Sequence, residues 1–219
     1  MIPYSVVILC SYSIAVAATI GVVRFRKIPR TYHPFILITL AALANEIAST
    51  LLIMSNHSNA VSTNILNFVE GCLWLIQIRV WGGFQRQKWM FNALFAGMTV
   101  IWVVENLILG KLFVFSSIFS LTSALVFVFL AINQVNRLIV EEKGNLLQNS
   151  RFLICVGIII FYTYRIMVES FYLQNMDQSN QFLENVFGIL VFVNVFVNLL
   201  FARAILWIPK RQKFSLPSL

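Results

Sequence analysis

The sequence predicts an all-α polytopic membrane protein, a seven-transmembrane-helix bundle forming one domain over residues 1–219, with its N-terminus outside and its C-terminus in the cytoplasm. Three observations carry this. Apolar runs of about 20 residues, the length that crosses a hydrocarbon core, recur along the whole chain. The composition is 59% apolar and only 11% charged, whereas soluble domains carry roughly a quarter charged residues. The bases, finally, are confined to alternate connections.

The spans fall near 4–23, 35–54, 62–81, 90–109, 112–133, 152–173 and 185–207. The first lacks a basic start and is followed by Arg24, Arg26, Lys27 and Arg30, so it reads as a helix with its N-terminus outside and not as a cleaved leader. Pro29 and Pro34 punctuate the path to the second span. Residues 55–59 form a short, almost uncharged connection, and Gly82 and Gly83 turn the chain between Arg79, Arg86 and Lys88. Gly110 and Lys111 read as a tight turn into the fifth span. The polar stretch 136–151 carries Arg137, Lys143 and Arg151, residues 174–181 carry Asp177 and no base, and the tail holds Arg203, Lys210, Arg211 and Lys213.

Grouping the odd-numbered connections with the tail puts fourteen of the 16 Lys and Arg on one side and Lys111 alone on the other. The positive-inside rule assigns the basic side to the cytoplasm. It also accounts for the net charge of +8, so no nucleic-acid partner is implied; the expected surroundings are a lipid bilayer. Cys10, Cys72 and Cys155 lie in apolar runs without metal or redox spacing and read as buried free thiols.

The remaining base, Arg165, lies inside the sixth span, among carboxylates that are expensive in hydrocarbon and therefore candidates for function. Glu46 and Glu70 fall about eight residues from the outer ends of the second and third spans, about 12 Å deep at 1.5 Å per residue. Glu105 and Glu169 lie about one turn below the outer ends of the fourth and sixth, and Glu184 opens the seventh, where a helix N-terminus favours an acid. Tyr162, Arg165 and Glu169 share one helical face; Asn67, Glu70, Trp74 and Gln77 share another; Asn194 and Asn198, and Asn45 and Ser49, stand one turn apart. Such stripes should face one another instead of lipid.

These groups can be plain interhelical glue, worth well under ~1 kcal/mol per contact. Against that, one arginine cannot neutralise five acids, and the surplus must be solvated, protonated or occupied by a cation. The expectation is an outward-facing acidic cavity lined by Glu46, Glu70, Glu105, Arg165 and Glu169, with Asn45, Asn67, Trp74, Tyr162, Asn194 and Asn198 contributing. His33 and His57 read as solvated loop residues, and neither a metal nor a cofactor is expected. No phosphate loop, HExxH or GxSxG is present, and no histidine lies within a span. That argues against an enzyme, and the last span has no lysine for a retinal Schiff base.

Ala41-Ala42-Leu43-Ala44-Asn45-Glu46-Ile47, followed by Asn64-Ile65-Leu66-Asn67-Phe68-Val69-Glu70, resembles a loose group of short seven-helix bacterial inner-membrane proteins of unknown function. The resemblance covers some forty residues and implies a bacterial inner-membrane setting without a particular activity. The function expected from the residues is sensing or signalling through a small polar or cationic ligand, with 136–151 large enough to touch a cytoplasmic or membrane protein partner. The alternatives are a small-solute or cation transporter, with proton coupling through its acids as one form of it, and a structural or assembly subunit.

Overall fold

The computed structural model describes residues 4–85, 87–141, 145–173 and 180–209, and every regular element among them is helical. These are α1 (Tyr4–Ser11), α2 (Ile14–Arg24), α3 (His33–Met54), α4 (Ala60–Val80), α5 (Lys88–Val103), α6 (Ser117–Glu141), α7 (Ser150–Leu173) and α8 (Asn180–Trp207), with 3-10 turns at Phe25–Lys27, Arg30–Tyr32, Lys111–Phe113 and Leu146–Gln148 and a π-helical turn at Val104–Ile108. Taking α1 and α2 as one span, seven helices are long and apolar enough to cross a membrane. Exposed side chains such as Leu51, Val100, Phe129 and Phe192 line their outer faces, the surface a bilayer requires. Glu184 and the loop 174–179 lie outside the residues whose side chains are described.

Neighbouring spans pack in sequence. α2 rests on α3 and α8, α3 on α4, α6 on α7 and α7 on α8, while α4 also touches α6. The first and last spans thus close a ring, and α5, in which only Met98 is buried, sits against α4 and α6. α2 presents Ala17, Ala18 and Gly21 to this packing, and small residues let helix backbones approach. A Cβ on Gly21 would stand 3.0 Å from the Ile36 side chain.

Several element boundaries differ from the sequence expectation, among them the start of α8 at Asn180 instead of 185. The first span is interrupted at Tyr12 and Ser13, where Ser13 N–H bonds Cys10 O at 3.1 Å and Ala15 N–H bonds Tyr12 O at 2.9 Å in a tighter, three-residue turn. The fifth span starts at Ser117 instead of 112, because Lys111–Phe113 forms a 3-10 turn after Gly110 in a left-handed conformation at φ 66°. It continues to Glu141, absorbing residues expected in a loop. There Arg137 pairs with Glu141 at 2.7 Å and donates to Gly82 O at 2.9 Å, while Leu138 is buried. His33 is likewise no loop residue: it opens α3 and stacks on Phe25 at 4.3 Å.

The end of the bundle that carries the bases is tightly interlocked. Gln77, 0% exposed, accepts from Phe35 N–H at 2.7 Å and donates to Thr31 O at 2.7 Å. A side chain of α4 therefore caps α3, serving groups that no intrahelical bond can reach. Arg24 donates to Ile205 O and, at 2.9 Å, to Ile208 O at the end of α8. Replacing Gln77 by Leu would strand one buried donor and one buried acceptor, each worth about 1–3 kcal/mol. Unfolding in detergent should accordingly show Gln77→Leu destabilised by about 2–5 kcal/mol, with Thr122→Ala, on an exposed face, close to the parent.

Candidate functional site

At mid-length the ring encloses a cavity of about 230 Å³. Five spans contribute: Ser11 and Ile14 from the first, Asn45 and Glu46 from α3, Asn67, Glu70 and Trp74 from α4, Tyr162 and Arg165 from α7, and Asn194 and Asn198 from α8. Nine of the eleven residues expected to bind ligand line it; Glu105 and Glu169 do not. Glu70 is close to the middle of α4 (Ala60–Val80), Glu46 to that of α3 and Tyr162 to that of α7. The cavity therefore sits nearer the centre of the spans than the expected outer-half position.

Glu70 is held in place. Its Oε1 accepts from Tyr162 Oη at 2.8 Å and from Trp74 Nε1 at 3.3 Å, and Trp74 Nε1 also lies 3.0 Å from Tyr162 Oη. Both partners are buried, so the carboxylate is fixed by two donors from different helices. Glu46 is less committed, with the Ser11 hydroxyl beside it. The neighbouring Asn45 Oδ1 is buried without a hydrogen-bond partner among the described residues. Asn198, 4% exposed, donates to Ser13 Oγ at 2.8 Å, tying α8 to the interrupted turn of the first span. Toward the basic end the floor is aromatic: Phe35, Trp74 and Phe201 have ring centroids 5.3 to 6.3 Å apart. Gly157 makes room for this floor, since a Cβ there would lie 2.5 Å from the Phe201 ring.

A second cavity of about 490 Å³ lies toward the opposite end, between α4, the start of α6, α7 and α8. Thr63, Asn67, Phe161 and Arg165 border both. Glu169 lines this second cavity. Arg165 Nε donates to Ser120 Oγ at 2.9 Å, Ser120 donates to Glu169 Oε1 at 2.7 Å, and Arg165 and Glu169 stand 4.0 Å apart. Arg165 and Glu169 are thus joined both directly, at the outer limit of an ion pair, and through a serine of another helix.

Glu105 has a different task, which corrects its expected place in the cavity. At 2% exposed, it accepts from Ile118 N–H at 3.1 Å and from Phe119 N–H at 2.6 Å. It caps the N-terminus of α6 from the π-helical turn Val104–Ile108 that ends the fourth span. Asn64, also fully buried, donates to Leu112 O and Val114 O and accepts from Ser116 N–H. Together they fix the connection that the sequence presented as a simple turn.

Sequence reasoning missed Ser11, Ser13 and Ser120. The polar triplet Ser11-Tyr12-Ser13 inside an apolar span was a usable sign for the first two; Ser120 gave none, because its partners come from another helix. Glu105→Ala should cost about 1–3 kcal/mol in unfolding experiments, as it orphans two buried N–H groups. Ligand affinity per folded molecule should stay within about twofold. Compared with known proteins, the chain matches no family model, no curated protein and no solved structure.

Proposed function

We propose that the protein is a membrane sensor that binds a small polar or cationic ligand in its central acidic cavity, the basic end lying in the cytoplasm. The observation that carries the reading is a charged, walled cavity above an interlocked basic half. Glu46 and Glu70 supply negative charge at mid-span, where a carboxylate is costly unless partnered. The volume, below the roughly 300–1,000 Å³ of drug-sized sites, suits a small solute.

Permeation toward the basic end would have to part the Phe35, Trp74 and Phe201 floor. It would also have to disturb the Gln77 and Arg24 bonds beneath it. Such bonds are worth about 0.5–1.5 kcal/mol each for the neutral Gln77 amide and about 1.5–3 kcal/mol each for the Arg24 guanidinium, so these contacts read as joints instead of gates. The second reading, a solute carrier, draws on the mid-span depth of the cavity and the interrupted first span beside it, both habits of secondary transporters. A bacterial inner membrane and a signalling partner on the cytoplasmic side complete the proposal.

Orientation is tested by cysteine labelling of intact cells in a background lacking the native thiols. An impermeant reagent should modify His57→Cys and spare Gln148→Cys; the reverse would invert the bundle. Function is tested in nanodiscs and proteoliposomes with a panel of small amines and amino acids. Saturating ligand should stabilise the protein by about 1–3 kcal/mol without crossing the bilayer, and Glu46→Gln should weaken binding at least tenfold. Uptake in the parent that is lost in both Glu46→Gln and Glu70→Gln would replace the sensor with the carrier.

A further inference from the structure

The central cavity offers opposite charges from opposite sides of the ring. α3 brings Glu46, and Asn45 beside it also lines the cavity, with its Oδ1 tucked beneath the cavity surface and without a hydrogen-bond partner among the described residues. α7, which is not a packing neighbour of α3 in the ring, brings Arg165. The guanidinium is anchored through Nε to Ser120, and among the described residues its terminal nitrogens Nη1 and Nη2 make no hydrogen bond. Glu70 is not equivalent to Glu46, because Tyr162 and Trp74 already occupy its Oε1.

Each side states a requirement. A buried acceptor beside a carboxylate asks for a cationic N–H donor, since an unmade hydrogen bond there is costly. A guanidinium with two free terminal nitrogens asks for a planar anion, which it binds by paired, parallel hydrogen bonds. A simple cation would leave the terminal nitrogens of Arg165 unused, since only its Nε is engaged by Ser120 and Glu169, and a simple anion would leave Glu46 without a counter-charge. Between them Ile14, Ile38, Leu66 and Val197 provide an apolar wall.

We infer that the ligand of the central cavity is a small zwitterion of the α-amino-acid class. Its ammonium group meets Glu46 and Asn45, its carboxylate meets the terminal nitrogens of Arg165, and an aliphatic side chain faces the apolar wall. This rests on reading the cavity as a ligand site. Arg165 also borders the wider second cavity, so it presents the same carboxylate-binding fork to a solute arriving from that side.

The test uses the full chain in nanodiscs, titrated with the twenty common amino acids by calorimetry and thermal shift. The tightest binder is then compared with its decarboxylated amine and its deaminated acid. The amino acid should bind at least tenfold tighter than either analogue. Arg165→Lys, which keeps the charge and loses the fork, should reduce the preference over the amine at least tenfold. An amine or a carboxylate binding as tightly as the amino acid, or an unchanged preference in Arg165→Lys, would overturn the zwitterion and leave a site for the simpler ion. Failure of every amino acid, amine and carboxylate to bind would overturn the ligand-site reading along with it.

Discussion

A helix end or a broken turn at membrane depth has no water to turn to, so its free N–H and C=O groups must be met by side chains from elsewhere in the bundle. Gln77 meets those at the start of α3, Glu105 those at the start of α6, Asn64 those of the connection before it, and Arg24 those at the end of α8. Gln77, Glu105 and Arg24 reach from one span to another and so fix the relative height of two helices, while Asn64 ties α4 to the connection before α6. The positions of Glu46, Glu70 and Arg165 around the ring follow from those heights.

The same requirement divides the intramembrane polar residues into two kinds. Gln77, Asn64 and Glu105 are at most 2% exposed and are absorbed by backbone groups. Glu46, Asn45 and Arg165 line open volume, and among the described residues the Asn45 Oδ1 and the terminal nitrogens of Arg165 make no hydrogen bond. Glu70 lies between these kinds, fixed by Tyr162 and Trp74 yet still part of the cavity wall. Pre-set orientation of this kind lowers the cost of ordering a site around a ligand.

The two ends of the bundle differ in build. Toward the basic end, aromatic rings and side-chain-to-carbonyl bonds join the spans, and Arg203 lies over Trp207 at 4.4 Å. Toward the opposite end, the wider cavity separates the start of α6 from α7 and α8. An occupant of the central cavity would touch α3, α4, α7 and α8 at once, so a change in its binding would act on helices that meet again at the basic end. That arrangement suits a protein that reports binding across a bilayer.

By itself, the sequence determined the seven spans, their approximate limits and the polar stripes, because a 20-residue apolar run and a 3.6-residue period are local properties. It also brought most of the cavity residues into view, since a charge or amide in an apolar run stands out against its neighbours. Only the tertiary structure decided which of these equally conspicuous groups face space and which cap a helix. Glu105 and Glu46 look alike in sequence, each an acid in an apolar span, yet one is consumed by the N–H groups of α6 and the other faces the cavity. The amphipathic extension of α6 past residue 135 was hidden for the same reason, and the turn at Tyr12 and Ser13 was marked only by a polar triplet. Their partners, Gly82 O in the turn after α4 for Arg137 and Asn198 on α8 for Ser13, lie in distant segments, and side-chain pairing between such segments leaves no mark on local periodicity.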